Sequence, residues 1–183
     1  MIRSAVFLDR DGVINRSIVR AHTPCAPRSL DELELLPGVG EAVSSLRAGG
    51  YCLIVVTNQP DVARGITPAA VADSINDRIR TELGLDAVYM CVHDDRDACS
   101  CRKPMPGLIT RAAAELSLDL STSHLVGDRW RDIEAGRRAG CSTFFLDRRY
   151  RERRPESYDF RVGSLLDAAR IILRKDIGHA EDR

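Results

Sequence analysis

The sequence lacks a charge excess: 27 basic residues face 27 acidic ones over 183 positions. No global field therefore draws the chain to nucleic acid or anionic lipid, and any anion site must be local. It also lacks an apolar run near the ~20 residues that a membrane span needs. Met1-Ile2-Arg3-Ser4 leads straight into an apolar stretch, without the charged-then-apolar layout of a secretory leader. These absences make a cytoplasmic protein the expectation, with neither a membrane nor a nucleic-acid partner. Internal repeats and low-complexity linkers are missing too. We expect one domain over residues 1–175, with a short tail at 176–183.

What is present is an ordinary globular balance, 44% apolar and 30% charged. Apolar runs read as strands at Ala5-Val6-Phe7-Leu8, Leu53-Ile54-Val55-Val56, Val88-Tyr89-Met90, His124-Leu125-Val126 and Thr143-Phe144-Phe145-Leu146. Runs without alternation suit parallel strands covered on both faces. Amphipathic stretches between them predict helices over 38–48, 67–83, 106–118, 131–139 and 165–173. The second opens on Thr67 as N-cap and Pro68 as first helical residue. This order predicts an α/β fold, a three-layer α/β/α Rossmann-like parallel sheet with right-handed crossovers. Ligands of such sheets bind beyond the carboxyl ends of the strands.

Two segments stand outside this pattern. Asn15 to Leu36 has no clear periodicity and contains Pro24 and Pro27; so long a loop in a compact domain is functional or mobile. Arg148, Arg149, Arg151, Arg153 and Arg154 crowd one stretch, which we read as a solvated loop.

Polar clusters follow the strand ends. Asp9-Arg10-Asp11-Gly12 ends the first strand, Thr57-Asn58-Gln59 the second, and Gly127-Asp128 with Asp132 the fourth, while Arg102-Lys103-Pro104 precedes a helix. Each alone has an ordinary explanation as a turn, a solvated pair or a helix cap. Together they fall where the ligand crevice of this fold should lie.

Cys91, His93, Cys99 and Cys101 form a compact Cys/His set. Three thiolates and one imidazole suit a closed, structural Zn2+ site. An inserted zinc loop at 91–101 would preorganise Arg102 and Lys103, which follow it directly. Cys52 and Cys141 read as buried apolar residues, and Cys25 is open.

The ordered motif set resembles the haloacid dehalogenase superfamily of phosphotransferases, over roughly Ala5 to Leu146. The resemblance implies a Mg2+-dependent phosphatase acting on a small phosphorylated metabolite. Asp9 would attack phosphorus and become an aspartyl phosphate, and Asp11 would act as general acid and then base. Thr57 and Lys103 would bind phosphoryl oxygens. Mg2+ would be held by Asp9, Asp128 and the backbone carbonyl of Asp11, with Asp132 ordering a bound water. Arg10, Asn15, Asn58, Gln59, Arg102 and Arg129 are the expected substrate contacts.

The motif spacing leaves no room for a separate cap domain, so the site should be covered only by the 15–36 segment and the zinc loop. Within the superfamily, the Cys/His loop, Ala63-Arg64-Gly65 and Lys103-Pro104-Met105-Pro106-Gly107 resemble the capless branch that acts on heptose 1,7-bisphosphates and histidinol phosphate. The heptose side is favoured. Pro60-Asp61-Val62 and Arg16-Ser17-Ile18-Val19-Arg20 depart from its pattern. Arg16 and Arg20 either grip a distal phosphate or are solvated, and Trp130 either lines the rim or packs on a neighbouring helix. A polynucleotide 3′-phosphate substrate and an inactive, zinc-stabilised binding module are the alternatives. A monomer or weak dimer is expected.

Overall fold

The computed structural model describes residues 3–21 and 23–180. Strand β1 (Ala5–Leu8) is followed by a small antiparallel hairpin of β2 (Ile18–Arg20) and β3 (Thr23–Cys25). Then come α1 (Val39–Ala48), β4 (Cys52–Asn58), a one-turn α2 (Pro60–Ala63), α3 (Ala69–Leu83) and β5 (Ala87–Cys91). The second half holds α4 (Gly107–Leu116), β6 (His124–Gly127), α5 (Trp130–Ala139), β7 (Ser142–Leu146), β8 (Phe160–Val162) and α6 (Leu165–Ala180).

Six strands form one parallel sheet in the order β5-β4-β1-β6-β7-β8. Side chains alternate across it, which splits each apolar run between two faces. Val6, Leu8, Leu53 and Val55 face α1, α3 and α6, through Val43, Leu46, Ile75, Ile79 and Ile172. Ala5, Phe7, Ile54 and Val56 face α4 and α5, through Ile109, Ala112, Ile133 and Ala135. The predicted three-layer α/β/α sheet is therefore the fold, and among the described residues no cap domain is inserted into it.

The chain runs outward from β1 to β4 and β5, then returns to place β6 on the other side of β1. This reversal opens a crevice at the carboxyl ends of β1, β4 and β6. Asp9 N–H donates to Val126 O at 2.9 Å and ties the two central strand ends together.

Several boundaries differ from the sequence pattern. The α3 cap is Pro68 in extended conformation rather than Thr67, whose N–H donates to Asp61 O at 3.1 Å. Helix α4 stops at Leu116 because Ser117 turns left-handed at φ 53°. Strand β8 carried no usable signal; it is three residues long, and the Phe160 ring stacks on Phe144 at 4.7 Å between centroids. The tail expected from Asp176 overlaps α6 as far as Ala180 and otherwise lies outside the described residues.

The arginine-rich stretch is a loop whose Arg149, Arg151, Arg153 and Arg154 are exposed, as expected, but one side of it is not solvated. Arg148, Tyr150 and Glu152 are half-buried and alternate with exposed Arg149, Arg151 and Arg153, so the segment is a strap with one side laid on the sheet end. Arg148 Nε donates to Gly12 O at 2.8 Å, and Glu152 pairs with Arg129. Trp130 packs between Arg131 and Arg153, whose guanidiniums lie 5.0 and 4.8 Å from its ring.

Candidate active site

The crevice is a cleft of about 230 Å³. Asp9, Asp11, Asn58, Gln59, Arg102, Lys103, Arg129 and Asp132 all line it, as do Thr23, Pro24 and Cys25 of the hairpin. Thr57, Asp128, Arg10 and Asn15 are buried and are not part of its lining.

Lys103 organises the floor. Its Nζ donates to Asp9 Oδ1 at 2.6 Å and to Val56 O at 2.7 Å, and lies 2.6 Å from Asp132 Oδ1. An ammonium has three donors, and here three acceptors surround it. Burial alone would lower the Lys103 pKa, but Asp132 and Asp9 outweigh it and hold the group well above its ordinary value. Asn58 clamps the lysine backbone from both ends of its amide, donating to Lys103 O at 3.0 Å and accepting from Lys103 N–H at 3.1 Å.

Asp9, Asp128 and Asp132 offer carboxylate oxygens within 4.8 Å of one another, and all three residues are buried. One ammonium cannot balance three such charges. Burial, then Lys103 in opposition, then the Asp132 and Asp11 charges set Asp9, with the net effect of raising its carboxyl to about 7. Burial and the charges of Asp9 and Asp132 push Asp128 well above the usual carboxylate range, with the nearby Tyr150 hydroxyl pulling the other way. Beyond the nearby Tyr150 hydroxyl, which does not reach good hydrogen-bond geometry, neither Asp128 oxygen has a protein partner among the described residues. Asp132, by contrast, uses Oδ1 on Lys103 and Oδ2 on the Arg129 N–H at 2.9 Å.

A buried cluster of three carboxylates in which one ammonium leaves two negative charges unbalanced fits a divalent cation. Hard oxygens fit Mg2+. The backbone is shaped for this crowding: Gly12 has φ 96°, and a Cβ there would lie 1.8 Å from Asp128 Oδ2. At Gly127 a Cβ would lie 2.2 Å from the Asp132 Cβ.

Asp11 accepts from four donors. Arg10 reaches it through Nε at 3.2 Å and Nη2 at 3.0 Å, Asn15 Nδ2 at 2.9 Å and Gln59 Nε2 at 2.7 Å. Gln59 also donates to Thr57 Oγ1 at 2.8 Å, which leaves the threonine hydroxyl hydrogen free to turn outward. Arg10 is almost fully buried and gives Nη1 to Asn76 Oδ1 at 2.8 Å. Arg10 and Asn15 thus hold Asp11 and do not line the cleft, whereas Asn58 lines it and also holds Lys103. Arg16 and Arg20 pair with Glu34 and Glu32 and do not line the cleft.

In the Cys/His loop, Sγ of Cys101 lies 3.1 Å from Cys91 Sγ, 3.4 Å from Cys99 Sγ and 3.2 Å from His93 Nδ1. Cys91 Sγ lies 3.7 Å from Cys99 Sγ and 3.5 Å from His93 Nδ1. A tetrahedral zinc with Zn–S of ~2.3 Å sets its sulfurs about 3.8 Å apart; the four ligand atoms are drawn in more tightly than that, but all lie close enough together for one cation to bind them. Around the loop, Asp94 and Asp95 pair with Arg64, Arg102 and Arg131.

Sequence reasoning missed the strap residues Arg148, Tyr150 and Glu152, and Asp95 with Arg131 at the rim. No local motif marks them, because each works through a side-chain contact across the fold.

A parallel α/β sheet with an ion-paired carboxylate at the end of its central strand, beside a buried carboxylate cluster that suits a divalent cation, is an arrangement that fits a phosphoryl-transfer hydrolase. The comparisons agree. The haloacid dehalogenase-like hydrolase model matches residues 16–140, a span that begins after the Asp9-Asp11 motif. D-glycero-beta-D-manno-heptose-1,7-bisphosphate 7-phosphatase of Bordetella bronchiseptica is 34% identical over 146 residues, covering 77% of this chain and 79% of that protein. The protein of the same name from Escherichia coli is 33% identical over 186 residues, covering 93% and 95%. The crystal structure of D,D-heptose 1,7-bisphosphate phosphatase from B. bronchiseptica, complexed with magnesium and phosphate, superposes with a TM-score of 0.81 at 31% identity, covering 94% and 99%. The chain belongs to the haloacid dehalogenase-like hydrolase family, and it is a phosphatase.

Proposed function

We propose that this phosphatase removes the 7-phosphate of D-glycero-D-manno-heptose 1,7-bisphosphate, through an aspartyl phosphate on Asp9. The observation that carries the mechanism is the Asp9 carboxylate, held at 2.6 Å by Lys103 beside the buried Asp128. The substrate reading rests on the relatives of that name and on the arginine-lined, capless cleft.

Asp9 attacks phosphorus with the oxygen that Lys103 does not hold. Lys103 keeps that carboxylate oriented and lends positive charge to the entering phosphoryl oxygens. Thr57, its oxygen already accepting from Gln59, donates its hydroxyl to the phosphoryl group. Asp11 turns from its donors toward the leaving oxygen to protonate it, then takes a proton from the water that breaks the intermediate. Gln59, Asn15 and Arg10 return it to place. Asp9, Asp128 and the Asp11 carbonyl would hold Mg2+, which would supply charge neutralisation at the phosphoryl group, and Asp132 would order a water there. Cys91, His93, Cys99 and Cys101 would hold Zn2+, which would fix the loop that carries Arg102. Arg102 and Arg129 meet the substrate at the rim. A cytoplasmic role in carbohydrate metabolism, as a monomer or weak dimer, completes the reading.

Phosphate release with Mg2+ from both anomers of heptose 1,7-bisphosphate, histidinol phosphate and a 3′-phosphorylated oligonucleotide tests it. A preference for one heptose anomer is the expected result. Preference for another member of the panel would contradict the substrate assignment.

A further inference from the structure

Asp95 sits in the short 3-10 turn Asp95–Asp97 of the zinc loop and accepts from two arginines that come from different elements. Arg102 gives Nε to Asp95 Oδ1 at 2.8 Å. Arg131, in the first turn of α5, gives Nη1 to Oδ1 at 2.7 Å and Nη2 to Oδ2 at 3.2 Å. All three residues line the cleft that contains Asp9. The turn that presents Asp95 is itself fixed: Asp97 Oδ2 accepts from Asp94 N–H at 2.7 Å, and Arg64 grips Asp94 at 2.7 and 2.8 Å.

Two guanidiniums this close repel each other and, left alone, each would sample many rotamers. One shared carboxylate pins both, while the three groups together still carry one net positive charge. A guanidinium has five N–H donors. Besides its bond to Asp95, Arg102 gives Nη1 to His93 O at 3.2 Å, so both arginines retain donors for a further anion. A planar pair of this kind suits phosphate oxygens.

We propose that Asp95 is a positioning residue that sets Arg102 and Arg131 as the two arms of a second anion subsite, which takes the phosphate distal to the one Asp9 attacks. The inference rests on the bisphosphate reading above. It adds Asp95 and Arg131 to the residues that decide substrate, and it separates recognition of the distal phosphate from the chemistry at Asp9.

The test is steady-state kinetics of zinc-loaded wild type, Asp95→Ala, Asp95→Asn and Arg131→Gln with a heptose 1,7-bisphosphate and the matching 7-phosphate. Asp95→Ala raises KM for the bisphosphate roughly five- to tenfold, the scale of one charge-assisted contact, with kcat within about twofold and the monophosphate KM unchanged. Asp95→Asn, which keeps an acceptor oxygen, falls between, and Arg131→Gln shows the same split by a route that leaves the loop intact. Equal loss on both substrates, no change, or a lower KM for the bisphosphate overturns the proposal. Wild type that handles the two substrates equally, or neither of them, refutes the bisphosphate reading and this inference with it, whereas a wild-type preference that survives in both Asp95→Ala and Arg131→Gln refutes this inference alone.

Discussion

The floor and the rim of the cleft are both built from carboxylates and cations, yet they differ in burial and in balance. On the floor, the side chains of Lys103, Asp9 and Asp132 are 3%, 9% and 4% exposed, and negative charge outnumbers positive. At the rim, Arg102, Arg131 and Asp95 are 11%, 26% and 54% exposed, and two guanidiniums share one carboxylate, so positive charge outnumbers negative. Buried charge is costly unless paired, and exposed pairs contribute little to stability. The floor therefore tolerates crowding only for a task that needs it, binding a cation and activating a nucleophile. The rim orients ligand groups at low energetic cost and is the part where substrate preference can change.

Substitutions sharpen this contrast. Asp9→Asn removes the nucleophile and should lower turnover by at least about a thousandfold while the fold persists, read by phosphate release and circular dichroism. Lys103→Arg keeps the charge but cannot place a fork where three acceptors surround one nitrogen. It should cost on the order of a hundredfold in kcat/KM and lower the thermal midpoint, and an active, equally stable variant would break the account of the floor. Removing zinc by chelation, or Cys101→Ser, acts on the rim. A cost of about 3 kcal/mol would lower the midpoint by roughly 6–12 °C in a domain of this size, with KM rising more than kcat falls. Asn58→Ala frees the Lys103 backbone and should lower kcat about fivefold, the scale of two partly exposed hydrogen bonds. Arg16→Ala breaks an exposed pair with Glu34, and both stability and kinetics should stay within about 0.5 kcal/mol of wild type.

The sheet was legible where apolar runs are long. β1, β4, β5, β6 and β7 all sit where Ala5-Val6-Phe7-Leu8 and its counterparts predicted, because burial on both faces leaves an unbroken apolar signature in the inner strands and partial burial leaves a shorter one in the edge strand β5. β8 was illegible: Arg161 interrupts its three residues, and what holds it is the Phe144–Phe160 stack rather than a local pattern. The 15–36 segment hid a hairpin for the same reason, with Pro24 inside it. In the site, Asp9, Lys103, Asp128 and Asp132 converge as the motif spacing required, since the fold gathers strand ends. Motif positions do not tell which neighbour a side chain turns to. Arg10 and Asn15 are polar residues near the motif carboxylates and read as ligand contacts, yet they lie outside the cleft lining and hold Asp11. Asp95 and the strap residues carry no motif at all.

The central claim is that Asp9 becomes covalently phosphorylated. Acid-quenching the enzyme during turnover of a phosphorylated substrate with Mg2+, then locating the adduct by peptide mass spectrometry, tests it most directly. The account predicts one phosphoryl group on the peptide containing Asp9, labile to hydroxylamine and absent from Asp9→Asn. Turnover with the phosphoryl group on another residue, or undiminished turnover by Asp9→Asn, would contradict it.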